Sequence, residues 1–476
     1  MSQNHGVYVT ERATSFSVPL TAQVGIPFII GAAPVQSAQT QAAVGAPIFC
    51  TSFAEAVEKL GYSEDWEKYN LCEFMFSHFT LYGKQPAVFC NLLDIATMVT
   101  VIAAADIPVE NNKALLPLEA INDESLVVKA AGGSGEPLIL DLDFATYYSG
   151  ANLVIELLAD GTAYGATEIN VAYRAVKPDA VTAEVVAMGL EYIEQCMTTV
   201  GVVPDLICAP GYSEDVTVAA VMATKAAGIN GLFRAKALID LSSDESGGAT
   251  SYTDAVTLKK ANNFVDENQI VCWPKLRLGE RVYHMSTHLA GLIATVDGLN
   301  NGIPYESPSN KAFNVNGMVL ASGQEVSLTH AQANVLGAQG ILTALNFLGG
   351  WVAWGNYTAC YPDNTDVKDF FISISRMFDW VGNTVIRTFW TRLDRPMNRR
   401  LVDSIIDTCN IWLNGLVGAG YLLGARVEFR EDENPLADLM AGIIRVHIFM
   451  TPPGPAQEIN FILEYDASYV AAAFGG

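Results

Sequence analysis

The feature that most restricts this chain is a change of hydrophobic period near residue 183. From there helical and strand patterns alternate: helix 183–199, strand 204–208, helix 213–227, strand 231–239, helix 252–262 and strand 269–273. Strands joined by helices of this length pair in parallel, with the helices laid over the sheet. A further helix follows Tyr283. Thr329 with Gln332 forms a capping box for another, expected to run through Phe347 and stop at Gly349-Gly350.

Upstream of this alternation the pattern differs. Residues 5–12 read as a short strand with Val7 and Val9 on one side and Tyr8 on the other, followed by a loosely patterned stretch to Val24, an arm in outline. A strand at 26–30 ends at Gly31. Ser52 with Glu55 is expected to cap a helix through Leu60, a second helix spans 65–81, and 86–92 is a buried strand. Between Asp94 and Pro178, short runs of valine, isoleucine and leucine are divided by Asn-Asn, Asn-Asp, Gly-rich and Asp-Gly turns, the pattern of an all-β module. Positions 94–179 hold 13 acidic and 4 basic residues, net −9, as a solvated outer face requires.

The last hundred residues begin with a helix near Asp369 and a longer one over 397–416. Strands are expected at 426–430, 443–449 and 458–465, the last with Ile459, Phe461 and Leu463 on one face. Pro452, Pro453 and Pro455 separate that strand from the one before, so the chain end can reach away from its own domain. The fold class is therefore α/β plus an all-β, sandwich-like insertion, with an α+β C-terminal domain and extended terminal arms.

Composition limits the partners. Of 476 residues 50% are hydrophobic and only 16% charged, which leaves neutral surface to cover and favours assembly. A net charge of −24 gives no support to phosphate neutralisation, so nucleic acid is not an expected partner. No charge-free apolar run of 18 residues occurs and no basic leader opens the sequence, so neither membrane insertion nor signal-directed export is expected. The eight cysteines stand singly in apolar surroundings and read as buried thiols.

Catalytic signatures are weak. His284 and His288 are four apart on a helix, but Met285 stands where a zinc protease carries glutamate. Gly211 could seat an anion, yet Glu214 and Asp215 would repel one. Walker, Gly-x-Gly-x-x-Gly and Gly-x-Ser-x-Gly motifs are absent, so no catalytic, cofactor-binding or metal-binding residue is assigned. The positive charge gathers at Arg387, Arg392, Arg395, Arg399 and Arg400, either a solvated face with local pairs to Asp394 and Asp403 or a surface for an acidic partner. Trp351, Trp354, Trp380, Trp390 and Trp412 are read as core.

Several segments together carry a resemblance. Gly6-Val7-Tyr8-Val9-Thr10-Glu11, the strand and turn from Pro204 to Gly211, His288-Leu289-Ala290-Gly291-Leu292-Ile293-Ala294 with Asp297, and Asn346 through Gly355 resemble the tail sheath proteins of contractile phages. The likeness runs over essentially the whole chain, and prophage and bacteriocin sheaths of Gram-positive hosts look most similar. It implies an arm at 1–24, a first part of the sheath core at 25–93, an outward-facing β insertion at 94–180, and a core at 181–358 of subtilisin-like shape without its triad. A C-terminal sheath domain at 359–455 and an arm at 456–476 complete the division.

The resemblance implies a structural subunit, not an enzyme. Copies would stack as six-membered rings in a helical array around an inner tail tube, with baseplate and tail terminator proteins at the ends. Release from an extended state into a shorter, wider one would drive the tube through a cell envelope. Such particles assemble in the host cytoplasm and leave by lysis. Val7, Tyr8 and Val9 at one end, and Ile459, Phe461 and Leu463 at the other, would pair with neighbouring copies; Arg399 and Arg400 would face the tube. Two other readings stand beside this one: an α/β hydrolase-like enzyme, and a surface-layer or adhesin subunit.

Overall fold

In the computed structural model, residues 19–466 and 468–474 are described. The strands are β1 (Pro27–Gly31), β2 (Pro47–Cys50), β3 (Ala87–Asn91), β4 (Val99–Pro108), β5 (Lys113–Pro117), β6 (Val127–Ala130), β7 (Phe144–Ser149), β8 (Asn152–Leu157), β9 (Glu168–Val176) and β10 (Leu206–Cys208). They continue with β11 (Lys236–Asp240), β12 (Gln269–Cys272), β13 (Lys275–Leu278), β14 (Arg281–Tyr283), β15 (Gly317–Val319), β16 (Glu325–Val326), β17 (Ile341–Asn346), β18 (Trp351–Trp354), β19 (Gly424–Glu428) and β20 (His447–Thr451).

Eight of them make one sheet in the order β18-β17-β12-β11-β10-β1-β3-β2. Its six central strands run parallel and the two edge strands antiparallel. Alternation at period two divides its side chains between two cores. Ile207, Ala237, Ile239 and Val271 meet Val218, Ala219 and Met222 of the helix Val216–Ala227. Leu206, Cys208, Leu238 and Ile270 meet Leu289, Ala290 and Ile293 of the helix Met285–Leu299. Burial on both faces is why these strands read as unbroken apolar runs.

The segment between β3 and β10 leaves this sheet and forms two three-stranded antiparallel sheets, β4-β9-β6 and β5-β8-β7. They enclose their own core of Leu116, Phe144, Leu153, Ile155, Ile169 and Val171. The C-terminal region packs the helices Ile372–Phe389 and Arg399–Gly418 with the β19–β20 hairpin around Met377, Trp380, Cys409, Leu413 and Val427.

Several expectations change. The capping box of Thr329 and Gln332 is present, but its helix is His330–Gly337, and 341–346 is a strand of the main sheet. Gly340, at φ +65°, turns the chain from the helix into that strand, with backbone oxygens of Thr358 and Tyr361 so close that no side chain fits. Gly349-Gly350 turns a hairpin. Ser52 caps its helix at Glu55, but the Glu55 carboxylate accepts from the Thr51 N–H, so the box is open. The 65–81 helix starts at Asn70 and widens to a π-helix over Phe76–Leu81. The 183–199 helix is interrupted by a tighter 3-10 turn at Leu190–Gln195, and the strand expected from 231 starts at Lys236. Trp380 is buried and Trp351, Trp354 and Trp412 are half-buried, whereas Trp390 is 56% exposed. All eight cysteines are buried and unpaired.

Candidate functional site

The expected terminal strand does not form within this chain. Residues 452–466 adopt no regular secondary structure, and 456–466 are exposed throughout. Ile459 is 70% exposed, Phe461 87% and Leu463 94%, with Ile462 between them 84% exposed, so among the described residues nothing covers these apolar side chains, and without a strand they define no common face. Among the described residues one hydrogen bond ties this segment to the body: Tyr357 Oη donates to Gln457 Oε1 at 2.6 Å, across a cleft of about 850 Å³. Beyond it comes the short helix Ser468–Phe474, with Tyr469 and Phe474 also exposed. Val7, Tyr8 and Val9 lie outside the described residues. Of the segment before Val24, Leu20 and Ala22 donate to Thr388 and Thr384, and Ala22 O accepts from Trp380 Nε1, so this part lies along the helix Ile372–Phe389.

The β19–β20 hairpin is the natural acceptor for an added strand, because a two-stranded sheet leaves two edges. They are not equivalent. On β19, Asn410 of the helix Arg399–Gly418 acts as a substitute strand: the Val427 N–H donates to its Oδ1 at 2.9 Å, and its Nδ2 donates to Val427 O at 3.2 Å. Val427 thus points away from β20, and alternation turns Ile448 and Met450 of β20 to the opposite edge. No strand of the described residues pairs with that edge.

The arginine cluster lies at the start of the same helix and in the loop before it. Arg399 and Arg400 are exposed, with Trp390, Leu393 and Met397 exposed beside them. Arg399 pairs with Asp403 at 3.0 Å, whereas Arg400 has no ion pair among the described residues. Arg387 donates to Thr21 O and Arg395 to Thr391 O. Asp394 pairs with none of them among the described residues, and its left-handed backbone (φ +60°) turns the loop.

One polar cluster was invisible in the sequence. At the carboxyl end of β11, buried Asp240 accepts from Ser213 Oγ, the Ser286 N–H and Ser286 Oγ. His284 lies beside it; its Nδ1 contacts Glu73 at 2.8 Å and its Nε2 faces Lys275 Nζ at 3.2 Å. Burial opposes charge on His284, but Glu73 and Asp240 overcome it and hold its pKa above the ordinary value. An acid, a histidine and serines are near one another, yet both serines give their hydroxyls to Asp240 and neither faces the imidazole. That is the bonding of a structural joint, not of an activated nucleophile. His288 is buried in the helix with Nδ1 against Tyr82 Oη at 3.0 Å, whereas His284 is not on the helix as expected but the residue before its first turn, so the two histidines do not converge. The residues that would have revealed the cluster, Glu73, Asp240 and Lys275, come from three separate elements with no common motif.

No family model matches the chain. The tail sheath protein of Burkholderia phage BcepMu is 23% identical over 490 residues, covering 99% of this chain and 98% of that one. The major tail sheath protein of Serratia phage KSP20 is 25% identical over 248 residues, 50% of this chain and 60% of that protein. Among solved structures, the anti-feeding prophage helical sheath in its contracted state aligns with a TM-score of 0.58 at 15% identity, covering 98% of this chain and 100% of that chain. The chain therefore has the mixed α/β, multidomain fold of contractile sheaths. These relatives lend no support to a Gram-positive host.

Proposed function

We infer that this chain is a contractile tail sheath subunit, a structural protein that polymerises around an inner tube. The observation that carries this reading is the apolar segment 456–466, exposed along its whole length, in a chain whose own C-terminal hairpin keeps a free edge at β20. The ends of neighbouring copies extend the sheet outward from β20, one strand pairing with that edge and the next with the strand so added, with Ile459, Phe461 and Leu463 from one end and Val7, Tyr8 and Val9 from the other. About five backbone hydrogen bonds per arm at about 1 kcal/mol each give about 5 kcal/mol before apolar contacts are added. Links of that strength persist while weaker faces slide.

Contraction then needs two packings of rigid subunits with different interface free energies. Rigidity is supported by the buried joint between the C-terminal helix and the main sheet, in which Arg376 spans Asp205 and Asp297, and Lys236 meets Asp379 at 2.9 Å. Arg399 and Arg400 face the tube, where exposed ion pairs of about 0–1 kcal/mol hold during assembly and release afterwards. The acidic β insertion at 94–180 is the outer surface. The α/β core is subtilisin-like in shape only, and the subunit is not an enzyme, a reading supported by the serine hydroxyls committed to Asp240. Rings of six, a baseplate, a terminator and cytoplasmic assembly before lysis complete the picture.

Negative-stain microscopy of the purified full chain tests this reading. Striated hollow cylinders are expected, and a chain ending at Thr451 should stay as folded, unassembled subunits. Cylinders formed equally well without residues 452–476 would overturn the arm mechanism.

A further inference from the structure

We propose that Lys236 and Asn268 join through a side-chain amide: the lysine Nζ displaces ammonia from the asparagine carboxamide, with Asp379 carrying the protons. This modification site lies inside one folded subunit, so its test does not depend on the sheath reading.

Backbone register brings the two residues together. β11 and β12 pair in parallel with Ala237 opposite Gln269, which sets Lys236 opposite Asn268, the residue before β12. The Ala237 N–H donates to Asn268 O at 2.7 Å and closes the pairing at this end. Residues directly opposed in a sheet turn their side chains to the same face. Asp379 arrives from a third element, the helix Ile372–Phe389.

The three groups meet away from solvent. Lys236 is 1% exposed, Asn268 6% and Asp379 7%. Nζ donates to Asn268 Oδ1 at 3.0 Å and to Glu267 O at 3.2 Å, and stands 2.9 Å from Asp379 Oδ2. A carbonyl bond of about 1.23 Å puts the asparagine Cγ no more than about 4.2 Å from Nζ, within about 1 Å of the separation from which such attacks proceed. The amide is held this way round, because Nδ2 donates to Asp266 Oδ1 at 3.0 Å. Asp379 Oδ2 is a buried oxygen with no hydrogen bond among the described residues, its contact with Nζ lying off the direction of one, so it is free to take and return a proton.

The step balances within these groups. Asp379 takes one proton from the lysine ammonium, and the lone pair so exposed on Nζ forms a bond to Cγ while the carbonyl pair moves onto Oδ1. That proton then passes to Nδ2, Nζ yields a second proton to the freed carboxylate, and the Cγ–Nδ2 bond breaks as the Oδ1 pair restores the carbonyl. Ammonia departs and takes the second proton from Asp379 as ammonium, which returns the carboxylate to its starting form without oxidant, reductant or added reagent. Burial favours the amide because water does not compete for Cγ. The new bond links neighbouring strands across the crossover that holds the helix Tyr252–Ala261, and so fixes one unit of the main sheet covalently.

The intact mass of the native full-length chain, folded and then denatured for measurement, tests this without any substitution. The bond lowers the mass by about 17 Da, one ammonia, relative to the sequence. Trypsin should leave Lys236 uncut and release Ala235–Lys259 joined to Ala261–Lys275 as one branched peptide. A succinimide at an Asn-Gly step such as Asn301-Gly302 gives the same deficit, but hydroxylamine removes it, whereas the branched peptide should survive that treatment. The full sequence mass, or a deficit with the two peptides released separately, overturns the proposal. Lys236→Met and Asn268→Ala should each show the full mass of their own sequence. Asp379→Asn should keep its circular dichroism and lower the yield of branched peptide about tenfold or more. The native yield in that folded variant would overturn the role given to Asp379.

Discussion

Arg376 holds Asp297 through two parallel hydrogen bonds, Nη1 to Oδ1 at 2.9 Å and Nη2 to Oδ2 at 2.6 Å, and both side chains are shut off from solvent. Nη2 also reaches Asp205 Oδ2 at 2.9 Å, and Asp205 Oδ1 accepts from the Ile26 N–H. One guanidinium thus joins the C-terminal helix Ile372–Phe389, the helix Met285–Leu299 and the entry to β10.

Arg376→Met leaves the buried Asp297 carboxylate, and the half-buried Asp205 beside it, without this counter-charge, so it should cost about 3–5 kcal/mol. Adding Asp297→Leu should recover a large part, because the second change removes the stranded charge. Urea unfolding of both variants measures the two steps; a double variant as unstable as the single one would contradict this account.

Gly340→Ala places a Cβ 2.5 Å from Thr358 O in a left-handed backbone. A loss of about 2–3 kcal/mol is expected from clash and strain together. Gly323→Ala, at φ +83° with open space around it, should cost less. Thermal melts of the pair separate crowding from backbone preference.

Acid should weaken the fold through His288. Burial pushes its pKa from 6.5 to about 3. The unfolded chain therefore takes up a proton first, and stability is lost as pH falls from 6.5 towards 3. Between pH 6.5 and 5 the loss is about 2 kcal/mol. His78, lowered by burial to about 4, adds in the same direction. His288→Gln keeps an acceptor for Tyr82 and does not titrate, so its urea midpoint should vary less between pH 7 and 5 than that of the native chain.

Met450→Pro removes an N–H from the free edge of β20 and should abolish polymer while the subunit stays folded. Ala425→Pro removes one from the edge already shielded by the helix bearing Asn410, and should leave polymer intact. Sedimentation of both variants decides; equal effects would mean that the two edges serve alike.

Arg400→Glu should weaken capture of the subunit by tube more than Arg399→Glu, since Arg399 already spends its charge on Asp403. The difference should shrink at high salt, as an exposed electrostatic contact requires. Pull-down on tube at two salt concentrations checks it.

How much was legible follows from the range of the forces involved. Strand periods, capping residues and the apolar residues Ile459, Phe461 and Leu463 are local patterns, and they made legible the alternating α/β region, the antiparallel β module and an apolar chain end, which is exposed in the structure. The 341–346 segment reads as helix in the sequence because a fully buried strand has no period of its own to distinguish it from one; only its pairing between β12 and β18 settles the matter. Where Asp240, Glu73 and His284 converge, which hairpin edge Asn410 closes, and how Arg376 locks two regions together depended on contacts between residues 17 to 211 positions apart. Burial makes such contacts strong and directional, yet their partners leave no mark in neighbouring sequence, so tertiary packing alone decided them.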